Sequence, residues 1–166
     1  MASLIFLPLK DHIGSGTYLV YDCACGTGGM LTEAEAMLMN LASQHSKEVN
    51  IHLYGQEVNA ETYAICKADL LIKGEEERNI AYGTTLSADA FPSMEFDFML
   101  ANPPYGKSWK TDLERLCGGD KNEMRDPRFV VDHDGNPEFS LVTRSSDGQL
   151  LFLVNMLSKM KHATPL

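Results

Sequence analysis

The sequence contains no run of about 18 apolar residues, so no membrane-spanning helix is expected. Leu4 to Leu9 is apolar but brief, lacks a basic flank and contains Pro8, and it does not read as a secretion signal. Cysteine is sparse. Cys23, Cys25, Cys66 and Cys117 form no CxxC pair, which excludes a disulfide scaffold, and metal binding by Cys23 and Cys25 is a remote alternative on a motif-poor spacing. A reduced, cytoplasmic protein without a bound metal is expected. Basic charge is also short: 14 Lys and Arg against 23 Asp and Glu leave a net charge of -9. Affinity for a phosphate backbone comes mainly from cations that displace its counterions, so this chain is not expected to grip nucleic acid alone.

What is present is an ordinary globular composition, with 44% apolar residues in a chain of 166, enough for one domain with a hydrophobic core. Short β-rich runs alternate with longer helical segments, which predicts an α/β fold with a mostly parallel sheet. Strands are expected at Thr17 to Tyr21, Asn50 to Tyr54, near Asn79 to Gly83, and at Phe96 to Leu100. Helices are expected at Met30 to about Gln44, from a cap at Asn59 to about Lys73 with Gly74 as its stop, and at Gly148 to about Lys161. Leu4 to Ile13 resembles the tail of a helix entering the first strand, and Glu75 to Glu77 reads as a solvated connection. From Gly106 to about Ser146 no periodicity is evident, and that stretch is expected to be loop, long for a compact domain. The alternation halts on a helix and would leave the fourth strand with an open edge. Residues 1–166 are therefore expected to be part of a larger domain, lacking an N-terminal helical region and C-terminal strands.

The glycine turn is the first candidate site. Asp22, Cys25, Gly26, Thr27, Gly28 and Gly29 follow a predicted strand and precede a predicted helix, where glycines let the backbone turn sharply and approach a ligand. The spacing Gly26-x-Gly28-Gly29 departs from the dinucleotide fingerprint GxGxxG, which serves a pyrophosphate. A donor with a zwitterionic amino-acid end, S-adenosylmethionine, suits it better. Asp22 would engage the ammonium, directly or through water, and the turn amides would face the carboxylate. Glu57, beside Val58 past the second strand, is placed to accept from both ribose hydroxyls. Asp89, beside Ala90, is placed to accept from the adenine amino group, with Phe91 along the ring. A ligand-free turn, a helix-start acid and an ordinary loop acid are the bland alternatives.

The second candidate site is Asn102, Pro103, Pro104 and Tyr105, after the strand Phe96 to Leu100. Two prolines cannot continue a ladder, because each lacks an amide donor, and Pro104 holds Pro103 extended. The result is a stiff corner that presents the Asn102 side chain and the Pro103 carbonyl. Open α/β sheets bind ligands beyond the carboxyl ends of their strands, so this corner is expected to face the glycine turn. An amine conjugated to a ring is a poor nucleophile. Two acceptors, each taking one N–H, would hold the nitrogen nearer tetrahedral and turn its lone pair toward a sulfonium methyl, with alignment and fixed dipoles supplying the rest. Tyr105 offers a face for a planar base drawn out of a duplex. A rigid turn without function remains the alternative.

These residues give the chain its resemblance to the modification (methylation) subunit of type I restriction–modification systems. The resemblance runs from about Tyr18 to Lys161. It rests on DCACGTGGM at Asp22 to Met30, LYGQEVNAETYAICKADLL at Leu53 to Leu71, the run from Asn79 to Phe91, LANPPYGKSWK at Leu100 to Lys110, and DPRF at Asp126 to Phe129. It implies a Rossmann-like, three-layer methyltransferase fold and methylation of the exocyclic amine of adenine in DNA. It also implies assembly with a specificity subunit and a restriction subunit, which would supply the DNA contacts this acidic chain lacks. Cys23 departs from the proline common there in the family, which implies a modest backbone effect. Three alternatives stay open: a non-catalytic cofactor-binding or assembly module, an amino-methyltransferase acting on RNA or a protein glutamine, and a nicotinamide-dependent oxidoreductase.

Overall fold

The computed structural model describes residues 2–133 and 136–161, without the side chains of 132–139. Four strands form one parallel sheet: β1 (Gly16–Asp22), β2 (Val49–Glu57), β3 (Ile80–Tyr82) and β4 (Phe98–Met99), in the order β3-β2-β1-β4. Successive residues of β1 point to opposite faces, as the strand period of two requires. Tyr18 and Val20 join the core under α2 (Gly29–Gln44), α3 (Ala60–Lys73) and the short α1 (Ala2–Phe6). Leu19 and Tyr21 join an aromatic core with Tyr54, Phe91 and Phe96, covered by Phe152 and Met156 of α5 (Gly148–Ser158). The fold is therefore the expected three-layer αβα sandwich.

Local chemistry explains most boundaries. The α2 helix buries Leu31, Ala34, Leu38, Leu41 and Ala42, a spacing that keeps one face toward the sheet. For α3 the start is set by the Asn59 side chain, which accepts from the Thr62 amide at 2.9 Å, and the end by Gly74 at φ 81°. At the N-terminus the helix is only five residues, followed by a 3-10 turn at Leu7–Leu9. It is anchored by Phe6, fully buried and edge-on to Phe98 at 4.9 Å between ring centroids.

Three expectations need correction. First, β2 runs past Tyr54 through Glu57, making Glu57 a strand residue. Second, the open edge of β4 is partly covered: Phe96 donates to the Lys159 carbonyl at 2.9 Å and accepts from the Lys161 amide at 3.2 Å, a parallel bridge to Met160. Third, the stretch 106–146, described except for 134 and 135, is not plain loop. It carries α4 (Lys110–Cys117) and an antiparallel hairpin of β5 (Val130–His133) and β6 (Asn136–Ser140). Trp109, Leu113, Met124 and Phe129 from this stretch pack with Leu86 and Leu151 into a second core. Burying such side chains stabilises by about 1.5–3 kcal/mol each, enough to order a segment whose local pattern is weak.

Candidate active site

The sheet order decides where the site lies. Between β1 and β4 the connections depart in opposite directions, and this is where α/β sheets open a crevice at their carboxyl ends. The chain leaving β1 forms the glycine turn, and the chain leaving β4 forms the Asn102 to Tyr105 corner. Leu100 donates its amide to the Tyr21 carbonyl at 3.0 Å, so the two exits start side by side.

The turn is held from below and from one flank. Asp22 is fully buried, and one carboxylate oxygen accepts from the Ala24 amide at 2.9 Å. Glu57 accepts from the Gly26 amide at 2.9 Å and, with its other oxygen, from the Asn59 amide at 2.7 Å. The Cys25 amide donates to the Gln56 carbonyl at 3.1 Å. Gly26 and Gly28 take φ values of 56° and 84°, a region that side chains with a Cβ rarely enter.

Two cavities, of about 590 and 570 Å³, adjoin this turn and share Ala24, Gly26 and Asn102 in their walls. Cys25, Thr27 and Gly29 line the first, together with Ala2 and Ser3 of α1. The second is lined by Glu57 and Val58, by Gly83, Thr84 and Thr85, and by Pro104 and Trp109. Glu57 and Asn102 therefore open onto one cavity. Tyr105 projects into solvent beside it, 91% exposed, and Pro103 is half-buried. Asp22 and Gly28 lie beneath the turn and off both walls, Gly28 against the Cys66 sulfur.

Asp89 and Ala90 are not brought to the cavities. The Asp89 carboxylate faces inward, 2.6 Å from the Lys159 ammonium and 3.7 Å from the Arg128 guanidinium, and accepts from the Phe91 amide. Phe91 sets its edge on Tyr21 and Tyr54, in the core and not along a ligand ring. Ala90 donates its amide to Gln56, whose side chain also donates to the Ala88 carbonyl at 2.7 Å. The wall that sequence reasoning missed consists of Gly83 to Thr85 with Trp109, Asp112 and Arg115. Its sequence signals were the Asn79 to Phe91 run and, for Trp109, the Leu100 to Lys110 run.

Charge at the site fits a cationic ligand group. The second Asp22 oxygen is buried without a hydrogen-bond partner. Burial pushes this carboxyl up to about 7, against the Ala24 hydrogen bond and with help from the charge of Glu57. An uncompensated buried acid lies under the glycine cradle and a second acid flanks it, so the local field favours a cation and the flank presents acceptors to hydroxyl donors. Elsewhere in the fold, burial and neighbouring Glu75 raise the Glu35 carboxyl as well.

Both acids bind protons more tightly folded than unfolded. The folded state then holds more protons above the unfolded value of 3.8, and stability falls as pH rises toward about 7. Asp126, held low by Arg128 despite its burial, acts only below that window. The protein is expected to melt at a lower temperature at about pH 8 than at about pH 5.5, and Asp22→Asn to shrink the difference. Thermal melts of both proteins check this; an unchanged pH dependence in the variant would contradict it.

No described helix is long and apolar enough to cross a membrane, all four cysteines are free, and the described residues hold no cluster of metal-ligating side chains.

Comparison with known proteins bears on the same residues. Over 109 residues the chain is 33% identical to the type I restriction enzyme MjaIX methylase subunit of Methanocaldococcus jannaschii, covering 61% of this chain and 19% of that one. It is 28% identical over 123 residues to the MpnII methylase subunit of Mycoplasma pneumoniae, covering 66% and 20%. The chain thus spans about a fifth of the length of these curated relatives. Among solved structures, the type I restriction-modification methyltransferase subunit of Streptococcus thermophilus superposes with a TM-score of 0.67 at 25% identity, over 97% of this chain and 30% of that one. A class I S-adenosylmethionine-dependent methyltransferase of Listeria monocytogenes shares the fold, with a TM-score of 0.58 at 14% identity over 95% of this chain and 40% of that one. The N-6 DNA methylase family matches residues 7–163, which takes in the glycine turn, Glu57 and the asparagine-proline corner, and the chain belongs to that family.

Proposed function

We propose that this chain carries the methyl-transfer site of a type I modification subunit, which moves a methyl group from S-adenosylmethionine to the exocyclic amine of adenine in DNA. The observation that supports the reading most is that Glu57 and Asn102 open onto one cavity, with Gly26 between them. S-adenosylmethionine, when bound, supplies an electrophilic methyl on a sulfonium.

The chain's own residues do the rest. Asp22, buried beneath the turn and half-satisfied, holds the turn through the Ala24 amide and favours an ammonium in the adjoining cavity through its charge. Glu57 keeps lone pairs after accepting two amides, because an ionised carboxylate has about four acceptor sites, and those remain for ribose hydroxyls. Asn102 and the Pro103 carbonyl each accept one N–H of the target amine and aim its lone pair along the shared wall. Tyr105 needs no rearrangement to receive an extruded base on its exposed ring. With a net charge of -9, the chain is suited to work beside a specificity subunit and a restriction subunit that bring the DNA.

Calorimetric titration with S-adenosylmethionine tests the reading. Wild type is expected to bind, and both Asp22→Ala and Glu57→Ala to weaken binding by about 10- to 100-fold, the equivalent of losing one or two charge-assisted hydrogen bonds. Absence of wild-type binding, or full affinity in both variants, would remove its basis.

A further inference from the structure

Arg128, in the Asp126 to Phe129 element, makes an unusually complete set of contacts for a residue far along the chain from the cavity wall. Its side chain is only 10% exposed. Two guanidinium bonds reach backbone carbonyls, those of Thr85 and Leu86, both at 2.8 Å. A third goes to the Asn155 side-chain oxygen at 2.8 Å, and two more go to the Asp126 carboxylate at 2.6 and 3.0 Å. A guanidinium has five N–H donors in a rigid fork, and all five are used. The cation also lies over the Phe129 ring at 4.7 Å. Nearby Asp89 and Lys159 make up a nearly buried group of two cations and two anions, balanced in charge.

The carbonyls are the informative partners. Thr85 and Leu86 follow the end of β3 and lie outside any strand, so no ladder satisfies them, and buried carbonyls need partners. Thr85 also lines the second cavity, and its hydroxyl donates to the Cys23 carbonyl at the root of the glycine turn. On the other side of this segment, Asp112 accepts from the hydroxyls of Thr84 and Ser87 at 2.7 and 2.6 Å. The 83–87 segment is thus gripped by side chains from beyond the Asn102 corner, with Arg128 holding its backbone.

We infer that Arg128 is a positioning residue for the donor-binding cavity: it fixes the backbone at Thr85 and Leu86, and through it the stretch of wall that adjoins Glu57. This rests on the cavity taking the donor as proposed above. Lysine at the position would keep a cation near Asp126 and Asp89, but three donors on one nitrogen cannot span two carbonyls, Asn155 and a carboxylate.

The test is Arg128→Lys, with Asp126→Asn as a second, milder variant that loosens the guanidinium and leaves its charge. Two measurements are made on each: amide hydrogen exchange, and titration with S-adenosylhomocysteine. In Arg128→Lys, amides of 84–91 are expected to exchange at least about tenfold faster while those of β1 and β2 keep wild-type protection, and donor-product affinity to fall about tenfold. Asp126→Asn should move both readouts in the same direction by less. A folded variant with wild-type exchange at 84–91, or protection lost evenly across β1 and β2, overturns the inference. So does full affinity in Arg128→Lys when wild type binds. If wild type binds nothing, the proposed function fails, and the exchange pattern still decides whether Arg128 holds the wall.

Discussion

In the complete assembly, Asn102→Ala is expected to lower the methyl-transfer rate by ~10³-fold or more, since removing a fixed polar group from a reacting centre costs ~10²–10³ and this one also orients the nucleophile. Donor affinity should stay within about threefold. The distinction matters because Asn102 borders both cavities. If its role were to shape the donor's space, affinity would fall with the rate. If it holds the target amine, the loss appears in kcat alone. Single-turnover methylation of an adenine-containing duplex, beside a donor titration, separates the two. Transfer at near wild-type rate would remove Asn102 from the chemistry.

The second large effect is on stability. Gly28→Ala puts a Cβ 2.8 Å from the Cys66 sulfur, at a residue whose φ is 84°. The left-handed backbone costs about 1–2 kcal/mol with a side chain present. Overpacking a buried site adds about 1–3 kcal/mol. At about 2–4 °C per kcal/mol for a domain of this size, the melting temperature should fall by roughly 5–20 °C. Gly29→Ala is the control, one residue along, where an added Cβ meets nothing within 4 Å. It should change stability by less than about 1 kcal/mol. Adding Cys66→Ala to Gly28→Ala should recover the steric part and leave the backbone part. Equal melting temperatures for the two glycine variants would contradict the strain argument.

The parts of the fold that were legible in the sequence are those specified by neighbours along the chain. The run TYLVY, the glycines after it and the apolar spacing of Leu31, Leu38 and Leu41 mark β1, the turn and α2 through local geometry alone. Asn59 and Gly74 bracket α3 for the same reason. The asparagine-proline corner could be placed because prolines end a strand wherever they stand. What stayed hidden depends on partners distant in sequence. The α4 helix is eight residues with only Leu113 fully buried, too short for a periodic signal, and its order comes from packing with Leu86, Phe129 and Leu151. Asp89 looked available from its place after β3. Lys159, seventy residues on, claims its carboxylate, and no local pattern announces an ion pair of that span. Glu57 was expected just past β2 because the β-rich run stops at Tyr54, whereas the strand continues through Gly55 and Gln56 to Glu57 itself. Gly55 is paired in the ladder on both sides, and glycine suits the position because an added Cβ would meet the Cys25 sulfur at 2.9 Å.

Trp109 closes one side of the second cavity, and it is the chain's single tryptophan. It is 2% exposed, and its indole nitrogen donates to the Arg144 carbonyl at 2.7 Å, so the ring is held in one orientation. Indole emission from this protein therefore originates at one fixed place. Light excited above the tyrosine absorption band reads that cavity directly, without an attached dye, and a change in brightness or colour on adding a ligand is a local signal.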